Sequence, residues 1–211
     1  AQHRGRPEPI TPEKGISIGG NPLGPINRAL RIRWRQQHEP ELMQRADKWL
    51  LLEDFLNFML CGTRITDYSM ASCTLLFDQR TLDWSSEMLE AAGIERGLMC
   101  DLKPSGALIG QVSAEAAGQT GLPEGTPVVL GGHDHLCGGL PVGAFRPGVV
   151  LDVVGTWESV TAVTDTAVLN PQLRTAGMTV QAHVARGVHA VWGGNVAAGM
   201  LEWFRKQFGV Q

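Results

Sequence analysis

The spacing of apolar residues changes near residue 148. Between residues 41 and 60 the apolar positions keep roughly helical spacing, which predicts one or two helices packed on a sheet. Residues 149–163 instead form two β-rich runs, which predict strands. The pattern therefore predicts a mixed α/β protein, with a compositional boundary at the turn Pro147-Gly148.

Turn and capping residues add further elements. Residues 179–192 alternate around Arg186-Gly187, which predicts a hairpin. Residues 1–27 contain several prolines and glycines and are expected to be loop. Asp67 is expected to cap a short helix, and Pro40 lies in the first turn of another. Further helices are predicted over residues 27–37, 87–92, 114–118 and 195–208.

A Gly-flanked carboxylate follows one of the apolar runs. Residues 126–130 are predicted to form a buried strand, and Gly131-Gly132 then precede His133 and Asp134. Ligands of open α/β sheets bind beyond the carboxyl ends of strands, and glycines let a ligand approach the backbone. Asp134 is therefore predicted to face a substrate. The alternative, that Asp134 only caps a helix beginning near Leu136, stays open.

A second polar feature is the Gly155-Thr156 corner between the two β-rich runs. Such a turn offers backbone N–H groups and a hydroxyl, which can hold a phosphate oxygen. Most Gly-Thr turns are only turns. Together with Asp134, however, the corner supplies what a phosphoryl-transfer site needs, a base and a small polar turn.

These features in this order resemble the FGGY family of carbohydrate kinases. The resemblance lies in GGHDH, a Gly-rich helical stretch, RPG, an apolar strand and GTWES. Residues 66–78, TDYSMASCTLLFD, resemble the family's signature upstream of its catalytic strand. Residues 199–204, GMLEWF, are similar to its helix near the adenine. The likeness covers most of residues 34–208.

The resemblance implies an actin-like, RNase H-type α/β fold with two lobes, incomplete at both ends. Residues 1–147 would be the C-terminal part of the sugar-binding N-terminal domain, and residues 148–211 the start of the nucleotide-binding domain. The chain has no Asp-x-Gly-Thr motif of the kind that opens such kinases. The chain alone is therefore expected to be inactive.

The resemblance also implies roles for individual residues. Asp134 would be the general base for a sugar hydroxyl, with His133 beside it in the substrate site. Gly155 and Thr156 would contact the phosphates of ATP, Gly199 would lie near the nucleotide, and Mg²⁺ would accompany ATP. The GHD and GTWE forms resemble the branch that acts on L-fuculose and other ketoses. The expected acceptor is a ketose or related polyol.

The chain departs from the family pattern at two places, both in or beside the segments that carry the resemblance. Cys73 stands where the family usually has arginine, and Ala198-Gly199 stand where it often has paired glycines. The first change is expected to alter a structural contact, and the second the grip on the nucleotide base. Neither removes the predicted base.

Two other interpretations remain open. His133, Asp134, His135 and Cys137 are all residue types that bind zinc, although adjacent residues are expected to point in different directions. Alternatively, the chain belongs to a sugar- or nucleotide-binding module on a kinase scaffold that has lost catalysis.

Charge and composition restrict the classes of binding partner and the cellular location to be expected. A net charge of -3 and a pI of about 6.1 argue against nucleic acid or a membrane surface as partner. The four cysteines lack CxxC spacing, and no apolar run reaches the roughly 18 residues of a membrane span. A cytoplasmic enzyme acting on a small sugar is expected, and a homodimer is left open.

Overall fold

The computed structural model describes residues 9–209, which form ten α-helices and ten strands. The helices are α1 Pro12–Ser17, α2 Arg28–His38, α3 Pro40–Arg45, α4 Leu52–Cys61, α5 Tyr68–Ser72, α6 Ser86–Ala92, α7 Ala114–Thr120, α8 Asp134–Gly139, α9 Pro171–Thr175 and α10 Ala198–Phe208. The strands are β1 Ile65–Asp67, β2 Phe77–Asp78, β3 Asp83–Trp84, β4 Asp101–Lys103, β5 Leu108–Gln111, β6 Pro127–Val129, β7 Val150–Val154, β8 Trp157–Thr164, β9 Thr179–Ala182 and β10 His189–Val196.

The largest sheet is formed by the second half of the chain. Its four strands are antiparallel in the order β7-β8-β10-β9, and β8 pairs with β10 from Trp157 opposite Val196 to Thr164 opposite His189. Before residue 148 the strands are short and form two-stranded pairs. Of these, β1 and β4 are parallel, whereas β5 and β6 are antiparallel.

The main apolar core lies in the first half of the chain. Leu75, Leu76, Phe77 and Met88 are fully buried there. Trp84 packs edge-on against Phe77, with ring centroids 6.3 Å apart, and its indole N–H donates to the carbonyl of Cys100. Trp84 is therefore part of this core.

Local sequence signals explain several element boundaries. Asp67 caps α5 by accepting from the N–H groups of Ser69 and Met70, as predicted. Ser85 caps α6 in the same way, and that helix ends at Gly93, whose φ of 64° favours glycine. The predicted hairpins around Gly155-Thr156 and Arg186-Gly187 are both confirmed.

Three sequence-based predictions were wrong in part. Residues 12–17 form helix α1, capped by Thr11, where loop was expected; residues 1–8 of that segment lie outside the described residues. The strand over residues 127–129 is buried on one face only, since Val128 is buried but Val129 is 53% exposed. Asn195 belongs to β10, and α10 begins at Ala198.

Among residues 9–209, no helix combines the length and apolar character needed to cross a membrane.

Candidate active site

Asp134 is the first residue of α8 and follows the turn that ends β6. His133 is the N-cap residue, so the alternative prediction of Asp134 as the cap was wrong. The Asp134 carboxylate instead accepts from the N–H of His135 at 2.7 Å, and its side chain is 95% exposed. The carboxylate is therefore open to an incoming molecule.

The backbone of this turn is hydrogen-bonded to Ser69, and a second serine, Ser105, shares the Asp67 carboxylate with Ser69. The N–H of His133 donates to Ser69 Oγ at 2.8 Å, and Ser69 Oγ donates to Asp67 Oδ1. Ser105 Oγ donates to the same oxygen at 3.0 Å. A Cβ at Gly132 would lie 2.9 Å from Ser69 Oγ and 3.1 Å from Ser105 Oγ, so the turn approaches both hydroxyls closely.

Two histidines flank Asp134. His133 Nδ1 lies 2.9 Å from Asp134 Oδ1 and 2.8 Å from His135 Nδ1. His135 Nε2 is 2.9 Å from the side-chain amide of Gln181, and its ring packs 5.1 Å from Trp192. These contacts tie the start of α8 to β9 and β10.

The expectation that adjacent ligands would diverge was wrong for three of the four zinc candidates. Ligand atoms of His133, Asp134 and His135 lie within 4.8 Å of one another. Cys137 is outside this group. The cluster of two imidazoles and one carboxylate is thus geometrically able to hold a metal ion that accepts nitrogen ligands.

The electrostatics favour an ionised Asp134 beside a neutral imidazole. The hydrogen bond from the His135 backbone, helped by the His133 ring, lowers the pKa of Asp134. Burial lowers the pKa of His135 to about 4. Near pH 7 Asp134 is therefore a carboxylate that can accept a proton.

A group of buried or partly buried carboxyls lies behind the turn. Burial, reinforced by Asp67 and Asp54, raises the pKa of Glu53 to about 7. Burial also raises the pKa of Asp54 to about 6 and that of Asp67. A Cβ at Gly131 would lie 3.4 Å from Glu53 Oε1, so this carboxyl borders the same turn.

The structure brings the three predicted nucleotide-site residues together. The N–H of Gly199 donates to the carbonyl of Thr156 at 3.3 Å, and a Cβ on Gly199 would lie 3.4 Å from Thr156 Cγ2. The Gly155 N–H already donates to the carbonyl of Trp157 at 2.9 Å, so it is not free for a ligand. The side chain of Thr156 is exposed.

The helix that begins at Asp134 packs against the same four-stranded sheet in which Gly155-Thr156 join β7 to β8. Helix α8 packs on it through Leu136, which clusters with Val184 and Ala190. His135 contacts Trp192, and Val196, four positions later on β10, pairs with Trp157 beside the corner. Four residues of strand span roughly 13 Å. The two groups are connected by β10 without touching.

Sequence reasoning missed the residues that support Asp134. Ser69 lies within the TDYS segment that carried the resemblance, so the sequence did point to this segment. Nothing in the sequence indicated that Ser69 would accept the N–H of His133. Gln181 had no signal, because it is separated from His135 by 46 residues and only the fold brings the two together.

Comparison with known proteins identifies the family. Residues 7–140 match the FGGY family of carbohydrate kinases, N-terminal domain. The chain belongs to the FGGY family of carbohydrate kinases. Family and structural neighbours also confirm the predicted α/β sugar-kinase fold.

Individual relatives agree with this assignment. L-fuculokinase of Escherichia coli is 33% identical over 202 residues, which cover 94% of this chain and 42% of that protein. An autoinducer-2 kinase of Escherichia coli is 33% identical over 180 residues, or 84% of this chain and 33% of that protein. The crystal structure of xylulose kinase from Rhodospirillum rubrum superposes with a TM-score of 0.86 at 27% identity, covering 94% of this chain and 40% of that one. The chain thus spans less than half the length of each.

Proposed function

We propose that the protein containing this chain transfers the γ-phosphoryl group of ATP to a hydroxyl of a ketose or related polyol. The observation that carries the proposal is the exposed carboxylate of Asp134 on a braced turn, in a chain of a carbohydrate kinase family. Relatives named L-fuculokinase and xylulose kinase support a ketose as acceptor.

In this proposal Asp134 is the general base. The acceptor hydroxyl attacks the γ-phosphorus, its proton passes to an Asp134 carboxylate oxygen, and ADP leaves with the bond electrons. The lowered pKa of Asp134 keeps the carboxylate ready for this proton at neutral pH. Such general-base help is worth about 10²–10⁴-fold in rate. His133, half-buried beside the carboxylate, is proposed as a second contact to the sugar.

We propose that ATP phosphates approach the Gly155-Thr156 corner. Because the Gly155 N–H is already bonded to Trp157, we propose the exposed hydroxyl of Thr156 as a donor to the phosphates at this corner. Gly199 would act by permitting the close approach of α10 to Thr156. We also propose that residues 1–147 belong to the sugar-binding domain and residues 148–211 to the nucleotide-binding domain. The four-stranded sheet begins just after this boundary, with β7.

Magnesium is proposed as the partner of ATP. The His133, Asp134 and His135 donor set does not fit Mg²⁺, which prefers oxygen ligands in octahedral geometry. No residue of this chain is therefore assigned to it.

The converging imidazoles support a second candidate, a zinc site at the same residues. Metal analysis of the purified protein tests it. One tightly held zinc per chain, lost in His135→Ala, would replace the general-base proposal, whereas zinc-free active enzyme would exclude this candidate.

The main experiment assays the full-length protein with ATP and Mg²⁺ across pentuloses, hexuloses and polyols. With the best acceptor, Asp134→Asn is expected to lower kcat at least 100-fold. The matched control is Asp165→Asn, which removes an exposed carboxylate in the loop after β8 and should leave kcat unchanged. An Asp134→Asn enzyme as fast as the wild type would contradict the base assignment. Phosphorylation of no acceptor, despite binding of ATP, would favour an inactive module.

A further inference from the structure

Asp67 lies fully buried behind the turn that carries Asp134. It ends β1, and besides capping α5 it receives the hydroxyl protons of Ser69 and Ser105 on one carboxylate oxygen. The two hydroxyls therefore donate to the same acceptor. They differ in whether they also bond to the Asp134 turn.

Only Ser69 passes this restraint on to the Asp134 turn. Its single hydroxyl proton is directed to Asp67, so an oxygen lone pair is available for the N–H of His133, 2.8 Å away. Hydrogen bonds in such a chain polarise and strengthen one another. Ser105 makes no hydrogen bond to the turn within the described part of the chain.

The position of the Asp134 carboxylate depends on this backbone. Its side chain is almost fully exposed, and its polar contacts in residues 9–209 are with His133 and His135, its immediate neighbours. No distant side chain therefore holds the carboxylate directly. A displacement of the backbone at His133 would carry the carboxylate with it.

We propose that Ser69, oriented by Asp67, is a positioning residue for phosphoryl transfer, which holds the His133 backbone and so places the Asp134 carboxylate against the acceptor hydroxyl. This inference rests on the proposed function of Asp134. Misplacing a catalytic group by about 1 Å can lower the rate roughly 10²-fold.

The kinetic test compares Ser69→Ala with Ser105→Ala in the full-length enzyme. Both variants remove one hydroxyl from Asp67, but only the first releases the His133 N–H. Ser69→Ala is expected to lower kcat about 10- to 100-fold, with the KM values for ATP and sugar changed less than about 3-fold. Ser105→Ala should change kcat less than about 3-fold. Equal losses of kcat in both variants would overturn the proposal, since they would show a merely structural role for the Asp67 cluster.

A second measurement does not depend on activity. Hydrogen exchange at the His133 amide should become at least about 10-fold faster in Ser69→Ala and stay unchanged in Ser105→Ala. Unchanged exchange in Ser69→Ala would overturn the positioning role even if the protein is a kinase. Conversely, faster exchange in a protein without kinase activity would refute only the proposed function.

Ser69 is fully buried, so a variant closer in size protects the test against misfolding. Ser69→Cys keeps a side chain of similar shape but offers a weaker acceptor. It should show the same loss of kcat with a smaller drop in thermal stability than Ser69→Ala. A Ser69→Cys enzyme with wild-type kcat and wild-type exchange at His133 would contradict the proposal.

Discussion

The carboxyl groups behind the Asp134 turn differ from Asp134 in their solvent exposure, and this difference separates their acidities. Asp134 is exposed and accepts a backbone N–H, which lowers its pKa. Glu53 borders the same turn but is partly buried near Asp67 and Asp54, which raises its pKa to about 7. Glu53 and Asp134 border the same turn but therefore differ in protonation state near neutral pH.

The raised pKa of Glu53 predicts a pH-dependent stability. The folded state holds this proton more tightly than the unfolded chain does, so the contribution is complete below about pH 4.5 and is lost as the pH rises through about 7. Glu53→Gln should therefore have the same Tm as the wild type at pH 4 and a higher Tm at pH 8. Thermal unfolding of both proteins at the two pH values measures this difference.

The variant must be compared with the wild type at each pH, because the histidines make the stability of both proteins fall as the pH falls, opposite to the effect of Glu53. Burial lowers the pKa of His135, His183 and His189, so their contribution is lost as the pH falls below about 6.5. Both proteins share these histidines. Glu124→Gln, at an exposed glutamate, is the control and should leave Tm unchanged at both pH values. A Glu53→Gln protein that loses stability at pH 8 would show that the carboxylate is stabilising there.

At the scale of elements, short helices depend on their caps. Helix α6 has seven residues, and Ser85 Oγ accepts the N–H of Met88 at 3.2 Å. Ser85→Ala is expected to destabilise the protein by about 1 kcal/mol. The neighbouring Ser86→Ala, on the exposed first residue of the helix, should lower the free energy of unfolding by less than half as much. Urea denaturation measures both, and equal losses would argue against the cap.

The same caps explain which elements could be predicted from sequence. Asp67 and Ser85 start helices by accepting backbone N–H groups with their side chains, and Gly93 ends one in a left-handed conformation, so the predicted boundaries of these helices were close to the observed ones. Helix α1 was missed because Pro12 and Gly15 within six residues resemble a loop. It forms because Thr11 caps it and Ile16 is buried, and burial is a tertiary effect.

The candidate site divides in the same way. Asp134 and the Gly155-Thr156 corner could be proposed from the sequence because each carries a local pattern of glycines beside a strand. The bond between Ser69 and His133 spans 64 residues, and that between Gln181 and His135 spans 46. No spacing rule predicts such pairs. They depend on how the sheet and helices pack.

At the scale of the whole molecule, the Asp134 turn contacts both halves of the chain, the part before residue 148 and the part after it. Ser69 and Ser105 approach Gly132 from the first half, and Val184, from the β9–β10 hairpin loop, approaches it from the second. Gln181 makes a second connection, since its amide contacts His135 and its side-chain oxygen lies 3.6 Å from the Cys73 thiol. The proposed base therefore lies where the packing of both halves meets.

Gly132 should consequently tolerate no side chain, whereas Gly131 should. A Cβ at Gly132 would lie 2.4 Å from Val184 Cγ1, while at Gly131 the nearest atom would be Glu53 Oε1 at 3.4 Å, an ordinary contact. We expect Gly132→Ala to destabilise the protein by about 1–3 kcal/mol through overpacking. Gly131→Ala should change stability by less than about 0.5 kcal/mol.

A double-mutant cycle assigns the loss to the contact between the halves. Val184→Ala removes the methyl group nearest to the added Cβ, so Gly132→Ala should destabilise a Val184→Ala background less than it destabilises the wild type. Denaturant unfolding of the four proteins gives the coupling free energy. If the two losses are simply additive, Val184 does not limit the space at Gly132, and the turn is held from the first half alone.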